Sequence, residues 1–163
     1  MLEPLISGNA DIFLRIVVAM FLGILIGAER MAAGKTAGMR THALVSMGSA
    51  LFVIISIIVS EWYIGRTPFD PLRVTSQVIV GIGFIGAGLI VFTGSRLSGL
   101  TTAAGLWVAA GIGVAVGYGL YAIAVFVAIL TLLVFTALWF IESKFKKISR
   151  GYSRNDAAEE GEL

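Results

Sequence analysis

The 163 residues allow one domain, 58% of them hydrophobic and 13% charged, with a mean hydropathy of +0.95. A soluble fold of this size needs far more polar surface, so composition excludes a water-soluble globular domain. The formal net charge of +2 gives no nucleic-acid signature, and a chain without cysteine has no disulfide framework and no thiolate metal site.

The charges cluster in short islands between long apolar runs. Crossing about 30 Å of hydrocarbon takes about 20 apolar helical residues. Five runs meet that need: Ile12–Ala28, Ala43–Ser60, Val74–Thr93, Gly99–Gly117 and Leu120–Ile141. None alternates with period two, which argues against a β-barrel. The expectation is an all-α integral membrane protein, a bundle of five transmembrane helices. The first run carries Arg15 near its end, where the side chain can snorkel to headgroups. That run is expected to stay as a span, since no Lys or Arg precedes it and no small-residue cleavage site closes it. The fourth and fifth runs are separated by little more than Tyr118 and Gly119, which predicts a tight helical hairpin. Residues 142–163 begin basic and end in Asp156, Glu159, Glu160 and Glu162, which predicts a solvated, disordered tail.

With five spans, the first and third connections share a side with the C-terminus. That side holds Arg30, Lys35, Arg40, Arg96, Lys144, Lys146, Lys147, Arg150 and Arg154, nine of the twelve basic residues. The other side holds Arg66 and Arg73, balanced by Glu61 and Asp70. The asymmetry predicts an N-terminus outside and a cytoplasmic C-terminus. Anionic lipid and topology account for the basic residues without a nucleic-acid partner.

Eleven of the twenty glycines lie between Gly81 and Gly119. Small residues let transmembrane helices approach closely. Ala19, Gly23 and Gly27 form one stripe on the first helix, and Thr101, Gly105, Ala109, Gly113 and Gly117 form another on the fourth. Gly81 and Gly88 are read as packing residues of the third. The fifth helix lacks glycine from Leu120 to Ile141, so helices one to four are expected to form a tight bundle with the fifth at its lipid-facing edge. Gly81-Ile-Gly-Phe-Ile-Gly86 fits a GxGxxG string, but inside an apolar span with no strand before it close packing is the better account.

A repeat runs without gaps at an offset of 61 residues. Lys35-Thr-Ala-Gly38-Met-Arg-Thr41-His-Ala43 lies over Arg96-Leu-Ser-Gly99-Leu-Thr-Thr102-Ala-Ala104, and Gly27 lies over Gly88. It reads either as a parallel repeat of two-helix units or as common helix-start chemistry. Each copy places a cation and a Gly–x–x–Thr turn at a helix N-terminus. Such an end favours an anion, whereas Thr41 and Thr102 acting as plain caps is the alternative.

Polar residues at membrane depth are costly and therefore mark candidate sites. Glu29 and Arg30 end the first helix, with Lys35, Arg40 and His42 nearby as partners for Glu29 in a structural or functional ion pair. Gln77 near the start of the third helix either bonds a neighbouring helix or lines a small cavity. Trp107, deep in the fourth span, is read as packing rather than ligand recognition. Glu29, Arg30, Arg40, Thr41, His42, Thr101 and Thr102 are expected to converge at one end of the bundle. A Mg²⁺ or Ca²⁺ path needs several oxygen ligands, yet no spanning run holds a mid-depth Asp or Glu. No P-loop, metalloprotease motif or Ser-His-Asp set is present. No metal site, cofactor or enzymatic activity is expected.

Several strings occur together: Leu22-Gly23-Ile-Leu-Ile-Gly27-Ala-Glu29-Arg30, Ala37-Gly38-Met-Arg40-Thr41-His-Ala-Leu-Val45, Gln77-Val-Ile-Val-Gly81-Ile-Gly83-Phe84-Ile-Gly86-Ala-Gly88, Gly99-Leu-Thr-Thr102-Ala-Ala104-Gly-Leu-Trp107, and Ala110-Gly111-Ile-Gly113. In this order and spacing, from about Val18 to Tyr121, the chain resembles the MgtC/SapB membrane protein family. The resemblance implies a small inner-membrane bundle of bacteria or archaea, linked to growth at low magnesium and, in pathogens, to survival inside host cells. It implies a regulator more than a pump. Some members carry a C-terminal cytoplasmic domain, and this chain is expected to be a short form without it. It departs from one branch of the family in having Thr101 where that branch has Asn and in lacking a Cys near Trp107. That branch's mechanism is therefore not carried over. The leading expectation is a non-enzymatic modulator acting through its cytoplasmic loops on a membrane-protein partner or lipid. A small-solute or Mg²⁺ transporter working as an oligomer is the alternative, and an orphan structural module is a third reading. Short helices with several small-residue stripes also predict a homo-oligomer, most simply a dimer.

Overall fold

A computed structural model describes residues 9–63, 70 and 72–159, giving only the course of the backbone for 96, 142, 143 and 145–159. Residues 64–69, which hold Arg66, and 160–163, which hold Glu160 and Glu162, lie outside the described residues. Among the described residues, five helices run in chain order: α1 (Ala10–Ala32), α2 (Met39–Trp62), α3 (Leu72–Ala87), α4 (Leu100–Gly117) and α5 (Tyr121–Glu159). Between α3 and α4 sits a two-stranded antiparallel hairpin of β1 (Val91–Thr93) and β2 (Arg96–Ser98). Four helices, with α5 counted over Tyr121–Ile141, are long and apolar enough to cross a membrane. The protein is an all-α multi-pass membrane protein, as its composition predicts.

α3 is the exception in length. Its 16 residues extend about 24 Å at 1.5 Å per residue, short of a hydrocarbon core of about 30 Å. It nevertheless lies along most of α4. Thr75 near its start shares a 2.8 Å hydrogen bond with the Tyr118 hydroxyl, and Gly86 near its end packs on Ala103. The third span was expected to reach Thr93, but the helix closes at Ala87, with Leu89 and Ile90 amides donating to the Gly86 and Ala87 carbonyls. Val91-Phe92-Thr93 then pairs with Arg96-Leu97-Ser98 around a two-residue turn, where Gly94 takes φ 61°. Hydropathy alone reads that apolar stretch as helix, while the β-branched and aromatic run followed by Gly-Ser is a hairpin pattern.

The tight bundle consists of α1, α2 and α4, with part of α5. Ala19, Leu22, Ile26, Ala50, Ile112, Val116, Ala124 and Ala128 form its buried core. Lipid tails are as apolar as leucine, so helices here are held by close packing rather than by the hydrophobic effect. Glycine supplies that packing at the crossings. A Cβ placed on Gly23 would lie 2.5 Å from the His42 carbonyl oxygen, on Gly27 2.5 Å from the Met39 Cα, on Gly113 2.0 Å from the Ser46 carbonyl oxygen and on Gly117 2.8 Å from the Val53 Cβ. All four glycines press on α2, which is therefore gripped between α1 and α4. Large apolar side chains such as Phe13, Phe21, Phe52, Phe126 and Trp139 are exposed outward, as in a lipid-facing surface.

The expectation that α3 shares this tight bundle is corrected. Its buried residues are Ile82 and Gly86, and a Cβ on Gly81 or Gly83 would meet nothing within 4 Å. Gly88 approaches only the carbonyls of its own preceding turn, at Ile85 and Phe84. Gly81 and Gly88 are therefore not helix-packing residues within one chain. α5 lies at the edge, as expected, but its helix continues to Glu159 through residues read from sequence as a disordered tail. The charged residues there retain good helix formers, and the helix pattern simply runs on from the span.

The offset of 61 is visible in the fold. Gly38 and Gly99 are the N-caps of α2 and α4, and Met39 and Leu100 start those helices. Neither cap has a side-chain hydrogen bond, which corrects the reading of Thr41 and Thr102 as caps. The glycines serve different ends. Gly38 is extended, whereas Gly99 has φ 89° and its missing Cβ leaves room for the Leu89 carbonyl.

Gly113→Ala is expected to lower the thermal midpoint in detergent, because the added methyl has no space against the Ser46 carbonyl and overpacking costs about 1–3 kcal/mol. Gly81→Ala should leave the midpoint unchanged or raise it, since an open helical glycine is about 1 kcal/mol poorer than alanine. Equal effects at both positions, read by the melting curve, would contradict this packing scheme.

Candidate functional site

The polar residues of the α1–α2 turn end form one buried cluster. Helix α1 closes with the Ala33 amide donating to the Glu29 carbonyl and the Lys35 amide to the Arg30 carbonyl, and Gly34 takes φ 67°. This turn leaves Glu29 and Arg30 at the helix end, where their side chains pair with one another. Sequence reading sought a partner for Glu29 among Lys35, Arg40 and His42. Arg30 takes that place because its guanidinium folds inward, only 4% exposed, with Cζ 3.5 Å from the centroid of the Phe135 ring on α5. A guanidinium over an aromatic face is held both by the ring quadrupole and by dispersion.

His42, one turn into α2, is fully buried. Its Nδ1 lies 3.0 Å from the Gly38 carbonyl oxygen. Gly105 of α4 makes the room for the ring: a Cβ there would lie 3.3 Å from His42 Nε2 and 3.0 Å from Phe135 Cζ. Thr102 is buried at 2% exposure, one turn before Gly105 on α4, and Thr41 is half-buried. Glu29, Arg30 and His42 lie together at one end of the bundle. Lys35, Arg40 and Thr101 do not join them; all three are exposed on the rim. Helical phase explains the difference, since Arg40 and Thr101 precede the buried His42 and Thr102 by two and one positions and so face away.

The remaining candidates lie elsewhere. Gln77 is exposed and lines, with Ser49, Gly48 and Gly81, an apolar groove of about 580 Å³ between α2 and α3. Trp107, expected deep in the packing, is 54% exposed and borders a small crevice with Val78, Ile82 and Val114. Trp107 lies in the middle of α4, and hydropathy carries no information on which way a residue faces.

Three features escaped sequence reading. Ser46 is fully buried four residues after His42 on the same helix face. Phe135 supplies the ring above Arg30. At the opposite end, Arg15 does not snorkel freely. Its Nε donates to Asp11 at 2.7 Å and its Nη1 donates to the Gly117 carbonyl at 2.9 Å, capping the C-terminus of α4. The spacing of Asp11 and Arg15 at i, i+4 was the available signal.

These features define a multi-pass membrane protein whose charged residues nearest the interior are the Glu29–Arg30 pair, with His42 buried beside it. The chain belongs to the MgtC family, whose model matches residues 16–144. It is 40% identical over 149 residues to YhiD of Escherichia coli K12, named as a candidate magnesium transporter, covering 88% of this chain and 67% of that protein. It is 45% identical over 91 residues to the protein MgtC of Salmonella typhimurium LT2, covering 56% of this chain and 36% of that protein. The chain thus spans about a third of MgtC's length. No solved structure matches.

Glu29→Gln should destabilise the fold by about 3–5 kcal/mol, because it leaves the buried Arg30 charge without its partner. Arg40→Ala, on the exposed rim, should leave stability within about 0.5 kcal/mol. Chemical denaturation in detergent micelles checks both, and similar losses at the two positions would contradict the placement of the cluster.

Proposed function

We propose that this chain is a non-enzymatic modulator of the MgtC type, a magnesium-related membrane protein that acts through the rim at the α1–α2 turn on a membrane partner or an anionic lipid. The observation that carries this reading is the state of Glu29. It is the carboxylate closest to the bundle interior among the described residues, and it is committed to Arg30. A bare Mg²⁺ needs several oxygen ligands, and a carboxylate already held by a guanidinium is a poor one. Lys35 and Arg40 are exposed beside that pair, where a carboxylate or phosphate of a partner can reach them. The excess of basic residues on this side supports a cytoplasmic rim in a bacterial or archaeal plasma membrane, with the N-terminus outside. The open glycines of α3 and its groove fit assembly as a homo-oligomer, most simply a dimer.

A transporter is the second reading. It is favoured by the name of YhiD and by the groove beside Gln77, which a second copy would have to complete into a path. Proteoliposomes separate the two. The modulator reading expects Mg²⁺ uptake no faster than in empty vesicles, while single cysteines at Thr36 and Ser98 stay protected from an impermeant thiol reagent in intact cells. Saturable Mg²⁺ uptake by the purified chain would establish transport instead, and labelling of both cysteines would reverse the orientation.

A further inference from the structure

Among the described residues, two buried polar side-chain atoms have no hydrogen-bond partner: His42 Nε2 and Ser46 Oγ. Both residues are fully buried and stand one turn apart on one face of α2. Helical serines and threonines normally satisfy themselves by donating to the carbonyl four residues back. Ser49 does so to Val45 at 2.8 Å and Thr131 to Val127 at 2.7 Å. Ser46 is denied this bond. The carbonyl four residues before it belongs to His42, and α1 lies across that oxygen at Gly23.

The state of the imidazole follows from its one hydrogen bond. The Gly38 carbonyl oxygen, 3.0 Å from Nδ1, can only accept. Nδ1 therefore carries the hydrogen, and Nε2 presents a lone pair. That lone pair is a base without a donor, and the Ser46 hydroxyl is a donor without an acceptor. The space against Nε2 exists because residue 105 is glycine. The ionisable groups that face the ring among the described residues are Glu29 and Arg30, both on α1, and both charges act on it. α4 presents Gly105 to the ring, and Phe135 of α5 reaches the same gap.

We propose that His42 and Ser46 form a buried proton-binding site, in which Nε2 of His42 takes a proton from hydronium and the imidazolium competes with Arg30 for Glu29. The step is a simple transfer. The hydronium O–H bond breaks, an Nε2–H bond forms, and water is left, which Ser46 can hold. The new charge lies next to a pair that was neutral in sum, and the Nε2–H becomes a donor in search of the Ser46 oxygen or the Glu29 carboxylate. Because Gly23 and Gly27 of α1 press on α2 beside His42, a shift of Glu29 is transmitted to the α1–α2 crossing. This inference goes beyond the modulator reading and holds whether the chain signals or conducts.

The chain has a single histidine, so full-length protein labelled with ¹⁵N-histidine in lipid bilayers gives one imidazole to observe. At neutral pH the spectrum should show Nδ1 protonated and Nε2 unprotonated. Acidification should convert both nitrogens to the protonated form reversibly. The midpoint should shift in Ser46→Ala and in Glu29→Gln. Should the Gln variant not fold, Glu29→Asp moves the carboxylate while keeping its charge, and the midpoint must still shift. A neutral-pH spectrum with the proton on Nε2, an imidazole that keeps one state throughout the acidification, or a midpoint indifferent to residue 29 would overturn the proposal.

Discussion

The structure depends on backbone-to-backbone contact between helices that lipid does nothing to push together. In water, burial of apolar surface would hold α1, α2 and α4; in a bilayer the apolar surface is equally well solvated outside the bundle. What remains is van der Waals contact, which falls off within an ångström or so. Gly23 and Gly27 of α1 and Gly113 and Gly117 of α4 bring that contact to α2 from two sides. α2 is thereby the spine of the bundle. α5 covers the α1–α4 side of the bundle through small residues, Ala124 and Ala128, and α3 leans on α4 at its two ends.

The polar groups are placed by the same constraint. Where α1 crosses α2 at Gly23, its backbone lies over the His42 carbonyl, and the Ser46 hydroxyl makes no hydrogen bond. Where α4 passes at Gly105, the gap admits the imidazole and the Phe135 ring together. Arg30 is drawn inward under that ring, with Glu29 beside it. At the far end, Arg15 bonds both Asp11 and the last carbonyl of α4, so α1 is fastened to α4 there by charge as well as by contact. The bundle is therefore locked at both ends, while its α3 flank remains open.

Much of this was legible in the residues. The apolar runs located the helices, and the Gly–x–x–Thr repeat located the starts of α2 and α4 at Gly38 and Gly99. The small-residue stripes on the first and fourth helices named the glycines that grip α2. The sequence also singled out Glu29, Arg30 and His42, which lie close together. What it lacked was direction. Gly81 and Gly113 look alike in a list of spacings, but one faces open space and the other a carbonyl. Arg40 and His42 are two residues apart, hence roughly 200° around a helix of 3.6 residues per turn, and only the latter faces in. The hairpin at 91–98 was hidden because hydropathy does not distinguish a β-branched strand from the end of a span. Ser46 was passed over because a serine in a transmembrane helix is ordinarily self-satisfied, and its exception arises from a contact on another helix.

The central claim is that α4 meets α2 backbone to backbone, and solid-state NMR of the protein in lipid bilayers tests it most directly. With the Ser46 carbonyl and glycine Cα carbons labelled, a short-range correlation is predicted between the Ser46 carbonyl and Gly113 Cα. Its absence, with the same experiment detecting neighbouring residues along α2, would contradict the account.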